Sequence, residues 1–207
     1  MGIKARSTSR DKRRKPKHWI FCEGESELAY FEDVNRDFSN EHYRRALIKV
    51  FSSGGNTQAK SLLRFARAKK ESLGIQVQPQ DTFWLVFDRD ENQNAELQEV
   101  VRESRREGFR ILYSNPCFEF WYRLHYGFTE RCYNNSQACK DEIKTHLPDY
   151  KEGNSYYMQL SKQLPTARQH ATRLNQIHFA NSVELISRDS EPVSTIYALF
   201  DYLDNPN

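Results

Sequence analysis

Residues 82–91 read TFWLVFDRDE, an apolar run that ends in three acidic residues and one arginine. Five consecutive apolar residues bounded by polar ones are typical of a β-strand that is buried on both faces. Asp88 and Asp90 lie two residues apart, so in an extended chain both carboxylates face the same side and can reach one cation. The stretch therefore predicts a buried strand with a pair of carboxylates at its carboxyl end.

Two other apolar runs end in acidic residues in the same way. Residues 18–22 are followed by EGESE, which begins at Glu23 and ends at Glu27, and residues 109–114 are followed by NPCFE, which ends at Glu119. In an α/β sheet these clusters would all emerge at the carboxyl edge, where open sheets bind ligands. Neighbouring carboxylates repel one another unless a cation neutralises them, and hard divalent cations prefer oxygen ligands. The pattern therefore predicts a site for Mg²⁺ or Mn²⁺.

The segments between these runs alternate between strand and helix patterns. Residues 46–51 form a further strand candidate, and residues 57–73 and 94–107 have helical periodicity. Each of these two helices stops at a glycine, Gly74 or Gly108, as helices commonly do. This order predicts an α/β fold with a mostly parallel sheet flanked by helices.

The pattern changes after residue 118, where helices follow one another without intervening strands. Pro165 is expected to begin a helix, and Ser194 or Thr195 is expected to cap the last one. The predicted helices of this part cover residues 118–125, 136–147, 156–177 and 193–203. The chain is thus divided into a basic arm at residues 1–16, an α/β domain at 17–126 and a helical C-terminal elaboration at 127–207, packed on the same domain.

The charge of the chain is concentrated at its amino terminus. The net charge is +3, but residues 1–17 alone contain eight Lys or Arg and a single Asp. Such a segment, poor in apolar residues, is expected to be disordered until it meets a polyanion. Nucleic acid is one candidate for that polyanion, and a solubilising tail without a partner is the alternative.

Several classes of protein are disfavoured by the composition. No stretch approaches the roughly 20 apolar residues of a membrane span, and no apolar segment of the signal-peptide type follows the basic residues. The four cysteines form no CxxC pair, which favours reduced thiols and a cytoplasmic protein without a structural zinc site.

The order of the acidic clusters resembles a known fold. A strand that ends in Glu-Gly, followed later by a strand that ends in Asp-x-Asp, is similar to the Toprim fold of topoisomerases, bacterial primases, small ribonucleases and OLD-type nucleases. The fuller phrases resemble the RloB-like family of prokaryotic phage-defence proteins. Those phrases are FCEGESELAYF (21–31), FWLVFDRDE (83–91), SNPCFEFWYRLHY (114–126), DYK (149–151) and PVSTIYALFDYL (192–203).

This resemblance implies a metal-dependent nuclease that acts as an effector in abortive anti-phage defence. Its substrate would be RNA, with tRNA as one candidate, or DNA, and residues 17–126 would be the Toprim-like part. A separate regulator such as an ATPase is an expected partner. By this resemblance Glu23 would be a general acid/base and metal ligand, and Lys151 would stabilise the transition state. The implied metal ligands are Glu23, Glu27, Asp88, Asp90 and, with a weaker match, Glu119.

Phosphodiester cleavage fits these residues, because divalent ions activate the nucleophile and neutralise charge on the phosphate oxygens. Arg89 would contact substrate or pair with an acid. Asn115, expected to be extended because it precedes a proline, would orient Glu119. Lys60 and Arg64 lie on the basic face of a helix that could follow a phosphate backbone or simply face solvent.

Two other functions compete with the nuclease. The first is a catalytically silent module that binds nucleic acid or a partner protein. Retention of so many mutually repelling carboxylates argues against it. The second is a phosphotransferase or glycosyltransferase that uses Asp-x-Asp, but neither class accounts for Glu23-Gly24 or for the string from Asn115 to Glu119.

Overall fold

The computed structural model describes residues 15–40, 47–54 and 58–205. Most of the predicted basic arm, residues 1–14, lies outside them. The described residues form a five-stranded sheet in the order β2-β1-β3-β4-β5. The strands are β1 (Lys17–Cys22), β2 (Leu47–Ser52), β3 (Thr82–Asp88), β4 (Phe109–Asn115) and β5 (Val193–Ser194). The first four are parallel and β5 is antiparallel to β4, which confirms the predicted α/β fold with a mostly parallel sheet.

Helices flank this sheet, and they begin and end close to the predicted positions. Gly108 ends one of them in the left-handed conformation, with φ at 76°, which a glycine adopts without strain. Pro165 lies at the beginning of another, as predicted. The α-helices are α1 (Glu25–Asn40), α2 (Ala59–Leu73), α3 (Asn94–Glu107), α4 (Glu119–Arg123), α5 (Ser136–His146), α6 (Tyr157–Leu160), α7 (Leu164–Ala180) and α8 (Tyr197–Asp204).

The sheet separates two apolar cores, because alternate residues of a strand face opposite sides. Ile20 and Trp84 belong to the core that α1, α4 and α5 cover. Phe21 and Leu85 belong to the core under α2 and α3. All four are buried, so the apolar runs of the sequence do correspond to strands covered on both faces.

The register of the strands determines where the acidic clusters lie. Cys22 at the end of β1 pairs with Val86, and Asp88 at the end of β3 pairs with Ser114 near the end of β4. The three strands therefore finish at one edge, and the residues that follow them, beginning at Glu23, Arg89 and Pro116, emerge side by side.

The prediction of one helix over residues 193–203 is wrong at its start. Val193 and Ser194 form β5, and α8 begins only at Tyr197. The Thr195 hydroxyl accepts a hydrogen bond from the backbone N–H of Tyr113 at 2.7 Å, so it bonds a strand rather than capping a helix. The edge of β4 has unpaired backbone groups, and pairing them outweighs the helical pattern. The C-terminal part thus contributes a strand as well as helices.

No helix in residues 15–40, 47–54 and 58–205 has the length and apolar character that crossing a membrane would require.

Candidate functional site

A cavity of about 400 Å³ opens at the carboxyl edge of the sheet, where the acidic clusters converge. It brings together all five predicted metal ligands. The lining residues are Glu23, Gly24, Glu25, Ser26, Glu27, Asp88, Asp90, Cys117, Phe118, Glu119, Ser136, Lys140, Glu152 and Gly153. Residues nearly a hundred positions apart in the sequence therefore form one strongly acidic site.

Glu23 directly follows β1, and its backbone N–H donates to the carbonyl of Val86 at 3.1 Å. Its side chain is buried, and neither carboxylate oxygen has a hydrogen-bond partner among the described residues. Burial, together with the negative charges of Asp90 and Glu27, raises the pKa of Glu23 to about 8. An unpartnered carboxylate in such a place is stable only with a proton or a cation beside it.

Glu27 lies in the first turn of α1, one turn after Glu23. Burial raises its pKa, and the charges of Glu119 and Asp90 raise it further, while Lys140 opposes them. A Cβ placed on Gly24 would lie 2.5 Å from Oε2 of Glu27, so the glycine leaves room for this carboxylate.

Asp88 is the last residue of β3, and its Oδ2 accepts a hydrogen bond from the backbone N–H of Phe118 at 2.9 Å. This bond ties the end of β3 to the beginning of α4. Burial raises the pKa of Asp88 well above its ordinary value, and the charges of Glu27 and Glu119 add to the effect. Asp90 has a φ of 36°, which places it in a tight turn after the strand.

Glu119 begins α4 and is buried against the site. Its Oε1 accepts a hydrogen bond from the Tyr150 hydroxyl at 2.5 Å and a longer one from the Ser26 hydroxyl at 3.5 Å. Ser26 in turn accepts from the backbone N–H of Gly153 at 3.0 Å. The segment of residues 149–153 is therefore bound to α1 and α4 at the rim of the cavity.

Lys140 is the basic side chain in the described lining of the cavity, and no motif in the sequence marks it. Its Nζ lies 2.6 Å from Oε1 of Glu152. Burial alone would lower the pKa of Lys140, but the carboxylates of Glu152 and Glu119 raise it above the ordinary value. Lys140 is therefore charged at neutral pH and sits beside the carboxylates.

The prediction that Lys151 serves the site is not supported by its position. Lys151 is exposed and is absent from the described lining of the cavity. Its backbone N–H donates to the Tyr156 hydroxyl at 2.6 Å, so the residue contributes to the shape of the rim segment. The sequence DYK around Lys151 does not indicate that a lysine of α5, Lys140, lines the cavity.

Two residues that were predicted to bind substrate have partners within the protein. Arg89 forms an ion pair with Glu191 at 2.8 Å, which was the alternative considered for it. Asn115 is buried and donates to the carbonyls of Ser187 and Arg188 at 3.2 and 3.3 Å. The peptide bond between Asn115 and Pro116 is cis, and the Asn115 amide bonds residues 187–188 rather than orienting Glu119.

Lys60 and Arg64 lie on α2 and do not line the cavity. Lys60 forms an ion pair with Glu99 of α3 at 2.6 Å, and the guanidinium of Arg64 donates to Ser61 at 3.1 Å. Both side chains therefore have partners on α2 or α3, and neither belongs to the described lining of the cavity.

The donor atoms of the cavity suit a hard divalent cation, because the five clustered acids offer only oxygen. The buried, unpartnered oxygens of Glu23 fit the same group. Within the described part of the chain, however, no three His, Cys, Asp or Glu side chains are already arranged as a metal-binding group. The residues present thus fit such an ion in chemistry, while their side chains would need to adjust around it.

Comparison with known proteins identifies a family that the chain resembles over most of its length. A family model described as RloB-like protein matches residues 18–203, which is nearly the whole chain. No curated protein and no solved structure matches.

Proposed function

Because the chain belongs to the RloB-like family, we propose that it is a metal-dependent nuclease that hydrolyses phosphodiester bonds in RNA or DNA. We further propose that it acts in the cytoplasm as an effector of abortive anti-phage defence, on a sheet of the Toprim type. The observation that carries the proposal is the unpartnered, buried carboxylate of Glu23 amid the four other predicted metal ligands at the carboxyl edge of the sheet.

The five predicted metal ligands share one role in this proposal. Mg²⁺ or Mn²⁺, when bound, would attract the phosphate to an otherwise repulsive cavity and would assist the attack of water. The residues that would hold the ion are Glu23, Glu27, Asp88, Asp90 and Glu119. Tyr150 keeps Glu119 in place through its hydroxyl.

Proton transfer and charge stabilisation fall to two residues. Glu23 would be the general acid/base, because its buried carboxyl lines the cavity and has no other hydrogen-bond partner among the described residues. Lys140 is the charged donor of the cavity and would bond a phosphate oxygen as negative charge develops there.

The alternative function is the catalytically silent module, which would bind nucleic acid or a partner protein without cutting. A regulatory partner such as an ATPase would be compatible with either function.

The test is cleavage of bulk tRNA and of supercoiled plasmid by the purified protein in Mg²⁺, Mn²⁺ or EDTA. The inactive variant is Asp88→Asn/Asp90→Asn, because an amide oxygen can still accept the hydrogen bond from Phe118. The matched control is Glu32→Gln, an exposed carboxylate on the same helix as Glu27 but outside the cavity. We expect metal-dependent cleavage by the wild type and the control, and a loss of at least about hundredfold in the double variant.

Two negative results have different meanings. If nothing is cleaved but calorimetry shows Mn²⁺ binding that the double variant loses, the nuclease requires an activating partner. If neither cleavage nor metal binding occurs in the wild type, the silent module is the better description and the nuclease proposal is wrong.

A further inference from the structure

The turn after β3 carries two of the five clustered acids and is conformationally demanding. Asp90 has a φ of 36°, in the left-handed region that aspartate adopts more often than most other non-glycine residues but still at a cost in free energy. The turn is short, with the backbone N–H of Asn92 donating to the carbonyl of Arg89 at 3.1 Å. The Asn92 side chain supports the turn from within by donating to the carbonyls of Asp88 and Arg89 at 3.4 and 3.2 Å, and further support comes from outside it.

The outside support comes from Arg188. Its Nη1 donates to the backbone carbonyl of Asp90 at 3.2 Å and to that of Asn92 at 3.0 Å. Asn94 at the beginning of α3 completes the contact, because its Oδ1 accepts from the backbone N–H of Arg188 at 2.7 Å. One guanidinium therefore spans the turn from behind while the Asp90 side chain lines the cavity.

A second contact joins the same two segments. Arg89 and Glu191 form an ion pair at 2.8 Å, and each side chain is only about 15% exposed. The other carboxylate oxygen of Glu191 accepts from the backbone N–H of Tyr133 at 2.6 Å, so Glu191 is itself fixed. The pair holds Arg89 away from the cavity, on the opposite side from the two aspartates.

The supporting segment is itself anchored to the sheet. The carbonyl of Ser187 accepts from the Tyr113 hydroxyl at 2.8 Å and from the Asn115 amide at 3.2 Å, and both donors belong to β4. The Ser190 hydroxyl closes the segment on itself by donating to the carbonyl of Ser187 at 3.0 Å. Residues 187–191, which we name the clamp, thus connect β4 to the turn.

We propose that the clamp positions Asp88 and Asp90 for metal binding, with Arg188 as its principal positioning residue. The inference rests on the proposed function, since it assumes that these carboxylates bind a cation. Arg188 would act through the backbone of the turn, without touching metal or substrate. Residues that orient metal ligands from behind commonly change metal affinity by 10- to 100-fold when they are lost.

The sign of the effect separates positioning from simple electrostatics. Arg188 is a positive charge near a cation site, so its charge alone weakens metal binding. Removing it would therefore strengthen Mn²⁺ binding if charge were its whole contribution. Weaker binding in Arg188→Ala is the opposite of what the direct charge effect predicts, and together with faster exchange in the turn it indicates a loss of shape there.

The experiment compares Arg188→Ala and Arg188→Lys with the wild type. Arg173→Ala is the control for lost charge, because Arg173 is exposed and stacks on Phe128, away from the turn. Mn²⁺ affinity is measured by calorimetry well below the melting temperature, and amide hydrogen exchange is followed at Asn92. We expect Arg188→Ala to bind Mn²⁺ about tenfold more weakly and to exchange faster at Asn92. Arg188→Lys should be intermediate and Arg173→Ala should resemble the wild type.

Equal or tighter Mn²⁺ binding by Arg188→Ala would overturn the inference. This holds even if the variant is less stable, because the loss of an arginine that only stabilises the fold lowers the melting temperature without weakening Mn²⁺ binding. Should Arg188→Ala fail to fold, Arg188→Lys is judged by the same criteria. A wild type that binds no Mn²⁺ refutes the proposed function by itself. The clamp is then judged on exchange, and unchanged exchange at Asn92 in the variant refutes it too.

Discussion

The side chain of Glu23 shows how burial and charge act together on a single residue. Its carboxyl is covered by protein and faces the charges of Asp90 and Glu27, and these effects raise its pKa to about 8. The same causes raise the pKa of Glu27 and Asp88. The folded chain therefore retains protons that the unfolded chain has released, which makes its stability depend on pH in a defined direction.

We expect the metal-free protein to lose stability as the pH rises from 7 to 8. Unfolded glutamates ionise near pH 4.5, whereas Glu23 keeps its proton until about pH 8, so over this range the folded state binds more protons than the unfolded state. Stability therefore falls with pH here and levels off above the folded pKa. Each retained proton accounts for about 1.4 kcal/mol per pH unit, or roughly 3–5 °C in melting temperature.

The measurement is thermal denaturation in EDTA and in Mn²⁺ at pH 7, 7.5, 8 and 8.5. This range lies above pH 6.5, below which His18 and His125, with pKa values lowered to about 4, would impose the opposite slope. Glu23→Gln should flatten the slope in EDTA. Mn²⁺ should stabilise the wild type more at pH 8 than at pH 7, because the cation displaces protons. A melting temperature in EDTA that rises across this range would contradict the assignment.

The two lysines offer another test at the level of single residues. Lys140 lines the cavity, whereas Lys151 is exposed outside it. We expect Lys140→Ala to slow cleavage by at least about hundredfold through loss of charge stabilisation, and Lys151→Ala to stay within about twofold of the wild type. Single-turnover cleavage in Mg²⁺ measures both. The reverse order of effects would restore the role first assigned to Lys151.

The connection between β1 and α1 determines where Glu27 lies. A methyl group on Gly24 would approach Oε2 of Glu27 to 2.5 Å, and that atom is the end of a flexible side chain. We expect Gly24→Ala to leave the melting temperature within about 3 °C, since the carboxylate can move aside. Mn²⁺ affinity should nevertheless fall about tenfold, because the displaced carboxylate is a proposed ligand. Unchanged affinity measured by calorimetry would remove Glu27 from the ligand set.

Local patterns carried most of the information about strands and helices. The apolar run ending at Asp88 predicted a buried strand because only a strand covered on both faces has no polar side, and β3 has that pattern. The same pattern, repeated at three strands, predicted that the five clustered acids lie at one edge of the sheet. It failed at Thr195, because pairing with β4 is a contact with a distant segment that no local pattern displays.

Two residues near the site that the sequence did not predict, Lys140 and Arg188, also owe their positions to contacts between distant segments. Lys140 reaches the cavity because α5 packs against α4, and Arg188 reaches the turn because the clamp bonds β4. Each is an ordinary charged residue in its own stretch of sequence. Their positions depend on tertiary packing, so composition and spacing could not distinguish them from surface residues such as Lys151.

The positive charge of the molecule is concentrated in its amino-terminal segment, and the rest of the chain has a negative net charge. Residues 1–14 contain six Lys or Arg and one Asp, while the entire chain has a net charge of +3, so the remainder is acidic. An acidic body with an acidic cavity attracts nucleic acid poorly without help. The amino-terminal segment, which lies outside the described residues, is the natural candidate for supplying that attraction.

Removing residues 1–14 should therefore weaken nucleic-acid binding and make it less sensitive to salt. If all six basic residues contact phosphates of a single strand, the slope of log affinity against log salt should become shallower by about 4. Fluorescence anisotropy with labelled RNA between 50 and 300 mM KCl measures this. The melting temperature of the truncated protein serves as the control for folding. An identical slope would leave the segment as a solubilising tail.

The clamp lies late in the chain, although the turn that it supports lies before the midpoint. A ribosome makes the amino-terminal part first, so Asp88 and Asp90 leave it long before Arg188 does. On the proposed function, a nascent chain thus displays the acids of the site without the support that shapes them. Unfinished and prematurely terminated polypeptides that lack residues 187–191 would then bind the cation more weakly than complete copies, and their toxicity would be lower.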